Sequence, residues 1–201
     1  MANLNAPKGF VPSRYLNGAQ WNGGGNLYCI PSTDGSQYGV GDAVKTVAGS
    51  DANGLPYVTK AAGTDTVRGV IVGVLVANPN NPSLVGTNLD LTIQNIPATK
   101  AKAYYVIVVD DPQVVFEVQD DGLNALTSTA ANKNASFTVA NPTSPQQNSA
   151  SVLATGSVAG TSTLNLKLLG LVQRPDNAFG VNAKWLVIFN QHELRGNSTG
   201  Y

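Results

Sequence analysis

The chain of 201 residues is long enough for one well-buried core with extensions. Charged residues make up only 12% of it and hydrophobic ones 42%, and twelve Lys and Arg balance twelve Asp and Glu. This composition excludes the disorder that accompanies low hydrophobicity and high net charge. It also lacks the basic stripe that nucleic acid would demand. A surface this poor in charge tends to associate.

Residues 1–26 read as an extended N-terminal arm. Asn, Gly, Pro and Ala dominate it, and Phe10, Val11, Tyr15, Leu16 and Trp21 interrupt it at neither the helical nor the strand period. Burying those five side chains would yield roughly 1.5 to 3 kcal/mol each. Ordering the backbone costs about 1 to 2 kcal/mol per residue, which favours an arm that becomes ordered on a partner. The five are therefore the expected partner-binding residues. The other reading folds the arm over its own domain. The first ten residues, MANLNAPKGF, lack a basic stretch followed by an apolar core, so no signal peptide is expected. The longest nearly apolar run, 69–77, is far short of the roughly twenty residues a membrane span needs, so no membrane partner is expected.

Residues 27–195 read as a single β-rich domain followed by a tail at 196–201. Strands are predicted at 27–30, 43–47, 57–61, 69–77, 89–94, 104–109, 114–119, 136–140, 163–172 and 184–190. Leu89, Leu91 and Ile93 alternate with polar neighbours, as in a strand with one wet face, whereas 70–76 and 185–189 are apolar on both faces and read as central strands. Gly69 and Gly73 mark a bulge or a close backbone approach. Asp110-Asp111-Pro112-Gln113 fits a four-residue hairpin loop between two strands. Residues 122–134 could hold a short helix, though a poor one, and the Pro, Ser, Gln and Asn of 141–162 read as a long exposed loop that a minor strand could pin, with Val152-Leu153 as its main apolar pair. Many short strands separated by turns predict an all-β fold, a jelly-roll-like sandwich or barrel.

Catalytic equipment is scarce. His192 is the only histidine and no Gly-x-Ser-x-Gly elbow occurs, so a Ser-His-Asp mechanism has little to work with. Cys29 is the only cysteine, which excludes an intramolecular disulfide and a multi-cysteine metal site. Asp110, Asp111, Glu117, Asp120 and Asp121 form the one notable charge cluster. Paired carboxylates can run glycoside hydrolysis and acidic oxygens can hold calcium, but the spacing matches neither chemistry, and solvated acids at strand ends are expected. Gly39-Val40-Gly41 begins like a dinucleotide fingerprint without its third glycine. No cofactor, metal or catalytic residue is expected.

Two segments carry a family resemblance. Asn3-Leu4-Asn5-Ala6-Pro7-Lys8-Gly9-Phe10-Val11-Pro12, with Leu16-Asn17-Gly18 and Trp21-Asn22-Gly23, resembles the start of structural proteins encoded beside the major capsid protein in tailed bacteriophages. Leu169-Gly170-Leu171-Val172-Gln173-Arg174-Pro175-Asp176-Asn177 with Ala183-Lys184-Trp185-Leu186-Val187 is similar to the closing motif of the same proteins. The resemblance implies a non-enzymatic head decoration or cement protein on the capsid exterior, assembled in the host cytoplasm. Its implied partners are the major capsid protein and further copies of itself, as a dimer or trimer. The alternative is a carbohydrate- or receptor-binding virion module, with Tyr28, Tyr38, Tyr57, Tyr104 and Tyr105 as a stacking platform. A polysaccharide-cleaving enzyme built on the acidic cluster comes third.

Overall fold

The computed structural model describes residues 3–75, 95–142 and 148–195. These form an all-β protein with two short 3-10 turns, Ser128–Ala130 and Thr155–Ser157, and no α-helix among the described residues. No helix there is long and apolar enough to cross a membrane.

Five strands close into a ring. They are β2 (Asn26–Ile30), β4 (Ala43–Ser50), β5 (Pro56–Lys60), β6 (Gly69–Leu75) and β8 (Tyr104–Val109), hydrogen-bonded in the order β2-β5-β4-β6-β8 with β8 returning to β2. All contacts are antiparallel except the brief parallel one between β2 and β5 at Cys29 and Tyr57. Tyr28, Ile30, Val44, Val58, Ile71, Val106 and Val108 fill the interior. A two-residue pair, β3 (Tyr38–Gly39) with β7 (Asn95–Ile96), adds Tyr38 and Ile96 to that core. As its apolar sequence predicts, β6 has a neighbour on each side. Its register shifts between Ile71 and Gly73, and a Cβ at Gly69 would lie 2.3 Å from the Val109 carbonyl oxygen, so both the bulge and the close approach are present.

An antiparallel five-stranded sheet forms the second body. Its order is β1-β9-β14-β13-β10, with β1 at Val11–Tyr15, β9 at Val114–Gln119, β14 at Lys184–Phe189, β13 at Leu166–Leu171 and β10 at Asn134–Ala135. Trp185, Val187 and Phe189 recur at the strand period and are all buried, as expected of a central strand. They join Phe116, Val118, Leu166 and Leu168 in a core that also takes Ala43, Val67, Val70 and Val109 from the ring side. Each body thus has its own apolar interior, and the second core seals the sheet against the ring.

Two expectations change. The turn at Asp111 is present, with the Val114 N–H donating to the Asp111 carbonyl at 3.1 Å. Its flanking strands do not pair, however: β8 bonds to β2 and β6 in the ring and β9 to β1 and β14 in the sheet. Residues 122–134 hold the single 3-10 turn Ser128–Ala130, the poor helix expected of them, ahead of β10. The described part of 141–162 carries the minor strand, β12 (Val152–Leu153) paired with β11 (Phe137–Thr138), but it is not an exposed loop, because Ser149, Ser151, Leu153 and Thr155 are buried. The strand expected at 89–94 lies outside the described residues.

Candidate functional site: the face where the chain ends meet

Side-chain amides fasten the N-terminal segment to the C-terminal half of the chain. Asn3 donates from Nδ2 to the carbonyls of Ala178 and Val181, both at 2.9 Å, and its Oδ1 accepts the Ala178 N–H at 2.9 Å. Gln119 at the end of β9 accepts the Ala6 N–H at 2.9 Å and donates to Asn5 Oδ1 at 2.9 Å. An Asn or Gln amide offers donor and acceptor together, so it can replace a strand ladder where the backbone is irregular. Three residues after Ala6, Gly9 and Gly41 lie backbone to backbone. A Cβ at Gly9 would sit 2.4 Å from the Gly41 carbonyl oxygen, and the φ of Gly9 is +66°, so only glycine fits. The Phe10 N–H then donates to Gly41 O at 2.9 Å.

This approach delivers Phe10 into the core. Its ring lies 5.0 Å from Phe189, 5.3 Å from Phe137 and 6.4 Å from Phe116, the last two edge to face. β1 then pairs along β9 from Val11 opposite Glu117 to Tyr15 opposite Val114, with a bulge between Pro12 and Arg14. The segment read as an arm for a partner is therefore, over its described residues, folded onto its own domain. Phe10, at 1% exposure, has no surface to offer a partner, which corrects its assignment as a docking anchor. Tyr15 and Trp21 are partly buried against the same core, and the Trp21 indole N–H donates to Gly24 O at 3.1 Å. Only Val11 and Leu16 among the five remain exposed.

A different set of apolar side chains faces outward at the junction. Leu4 (74% exposed), Leu123 (79%), Phe179 (50%) and Val181 (44%) lie on three segments that touch one another. Asn3 bonds to Ala178 and Val181, and Leu126 forms a bridge with Gly180. Beside them a groove of about 310 Å³ runs between Leu4, Lys8, Val11, Glu117 and Arg174. Arg174 clamps Glu117 in a two-pronged pair at 2.9 and 3.0 Å, fixing the turn after β13 to β9. Asn177 closes that turn by donating to the carbonyls of Val172 and Lys184. The two sequence blocks that carry the family resemblance thus build a single face. Neither a protein-family model, nor a curated protein, nor a solved structure matches this chain.

The titratable groups singled out in the sequence have structural neighbours. His192 is buried, accepts the Leu194 N–H at Nδ1 and is pushed down to about 4 by burial, then by the positive charges of Arg195 and Arg68. It is a neutral interior group. Asp110 and Asp120, expected to be solvated, are buried acceptors. Asp110 takes the Tyr28 hydroxyl at 2.6 Å and Asn26 Nδ2 at 2.8 Å, with Arg68 at 3.6 Å. Asp120 takes the N–H groups of Gly122 and Ala183 and is raised by burial. Asp111, Asp121 and Glu117 bind a turn, Thr155 and Arg174 respectively, so the cluster is divided among separate tasks. No three His, Cys, Asp or Glu side chains converge as a metal site among the described residues. The tyrosine platform also fails to assemble, since Tyr28, Tyr38 and Tyr105 are buried.

Proposed function

We propose that this protein is a non-enzymatic structural component of a tailed-bacteriophage virion, decorating the capsid exterior and cementing neighbouring major capsid protein subunits. The observation that carries the reading is the meeting of the two resembling blocks at one groove, where Leu4, Lys8 and Val11 lie across from Arg174 and Lys184. A clamp must transmit load between its contacts. Here the contact segments are welded to a core rather than hung from a flexible arm, which removes the ordering cost a free arm would incur on binding. Leu4, Val11, Leu16, Phe179 and Val181 are the exposed apolar residues offered to the capsid or to a second copy. Several modest contacts on adjacent subunits then act together through effective concentration. The finer fold reading belongs to the same proposal: a five-stranded antiparallel sheet packed on a second β body supports a jelly-roll-like sandwich.

Capsids bearing the parent protein are compared with capsids offered the triple variant Leu4→Ser, Phe179→Ser, Val181→Ser, measuring occupancy and the temperature of DNA release. The variant should bind at less than a tenth of parental occupancy and leave the release temperature at that of undecorated shells, while its own unfolding midpoint stays parental. Equal occupancy would remove this face from the interface, and failure of the parent protein to bind capsids would sink the cement reading.

A further inference from the structure

A second cluster lies on the other side of Gly41, where the ring meets the segment after β11. Lys60, the last residue of β5, places Nζ 2.9 Å from Asp42 Oδ2 and 3.2 Å from Asn141 Oδ1. The side chains of Lys60 and Asp42 are 9% and 1% exposed. Asp42 is fixed from all sides: its Oδ1 accepts the hydroxyls of Ser149 at 2.5 Å and Ser151 at 3.2 Å, and its Oδ2 accepts the Gly39 N–H at 2.8 Å. The Tyr38 ring covers the ammonium at 5.5 Å. The Lys60 amine thus lies between a buried carboxylate and the side-chain oxygen of a carboxamide, touching both.

We propose that Lys60 and Asn141 form an intramolecular isopeptide bond, with Asp42 as the proton carrier. The Lys60 ammonium gives a proton to Asp42 Oδ2, and the freed lone pair of Nζ adds to Asn141 Cγ. The Cγ–Nδ2 bond then breaks. The departing nitrogen takes one proton from Nζ and the proton held by Asp42, leaves as ammonium, and restores the carboxylate. An amine and a primary amide become a secondary amide plus ammonium, with no oxidant or co-reactant. General acid–base transfer by a positioned carboxylate is what this exchange needs, because neither an ammonium nor a neutral amide reacts unaided. The exposed side of Asn141 gives the ammonium a direct exit to solvent. The residue after Asn141 is Pro142, which has no N–H with which the backbone could expel the same ammonia. The bond would tie β5 of the ring to the chain leaving β11, whose Phe137 is anchored in the second core.

Mass spectrometry of the purified full-length protein tests this directly. The intact mass should fall below the sequence mass by one ammonia, trypsin should fail to cut after Lys60, and one peptide should contain both the Lys60 and Asn141 stretches. Asn141→Ala changes an exposed side chain, so the fold should persist. It should restore the full mass and the cut at Lys60, and lower the thermal midpoint. Asp42→Asn, with Lys60 and Asn141 intact, should leave the bond unformed. Separate Lys60 and Asn141 peptides from the folded parent after prolonged incubation at neutral pH would overturn the proposal. So would an ammonia loss that survives Asn141→Ala, which would place the event elsewhere, at Asn53-Gly54 for example. A joined peptide in Asp42→Asn at the parental rate would remove Asp42 from the step.

Discussion

His192 is enclosed in the joint between ring and sheet, where Val67 bridges to it and Arg68 and Arg195 oppose a positive charge. Its folded value of about 4 lies below the ordinary 6.5, so between those pH values the unfolded chain binds a proton that the native protein refuses. Stability is therefore full above pH 6.5 and falls as pH drops towards 4, by about 3 kcal/mol for this group. Asp120 works the other way. Burial raises it, so its protonation on acidification favours the native state. Urea unfolding of His192→Gln between pH 7 and 4 should show a flatter stability profile than the parent, and an identical slope would mean that His192 is protonated in the native protein. Trp185, fully buried on β14, is the other decisive side chain. Trp185→Ala should cost about 3 to 5 kcal/mol, read as a lower denaturant midpoint; an unchanged midpoint would contradict the burial.

At the scale of elements, β1 is the segment whose role composition concealed. Its sequence, Val-Pro-Ser-Arg-Tyr, has too few β-branched residues and a proline, features that argue against a strand. Pro12 is tolerated because β1 lies at the sheet edge and the register shifts there, where a missing N–H matters least. What earns the strand its place is Phe10 just before it, an interaction with residues far along the chain that no local pattern displays. Strands β8 and β9 were legible to the residue, since runs of Val, Ile, Tyr and Phe bounded by Asp and Pro leave little choice. Their partners were not legible, because a tight turn between two strands looks the same whether they pair or part. The outward set at Leu4, Phe179 and Val181 was invisible for a related reason: it is created by Asn3 reaching the turn at Ala178. If β1 belongs to the core, deleting residues 1–25 should give insoluble or unfolded protein, and Phe10→Ala should cost about 3 to 5 kcal/mol. A soluble deletion product with the parental thermal midpoint would return this segment to the status of an arm.

For the molecule as a whole, the all-β class followed from the density of short apolar runs and turns, while the division into ring and sheet depends on which strands meet. The ring draws on a continuous stretch of chain, from Asn26 in β2 to Val109 in β8. The sheet draws on both extremes. β9 lies between β1 and β14, so its two neighbours come from opposite ends of the polypeptide. During synthesis the ring can close while β13 and β14 are still unmade, whereas β1 must wait for β9, and the core that receives Phe10 is incomplete until Phe189 arrives. For that interval the amino terminus is a sticky, unpaired strand on a half-finished protein, the condition in which nascent chains associate wrongly or recruit chaperones. Chains arrested with β9 but not β14 outside the ribosome should show a protease-resistant ring and a cleavable amino terminus; early protection of Phe10 would point to a different order of assembly.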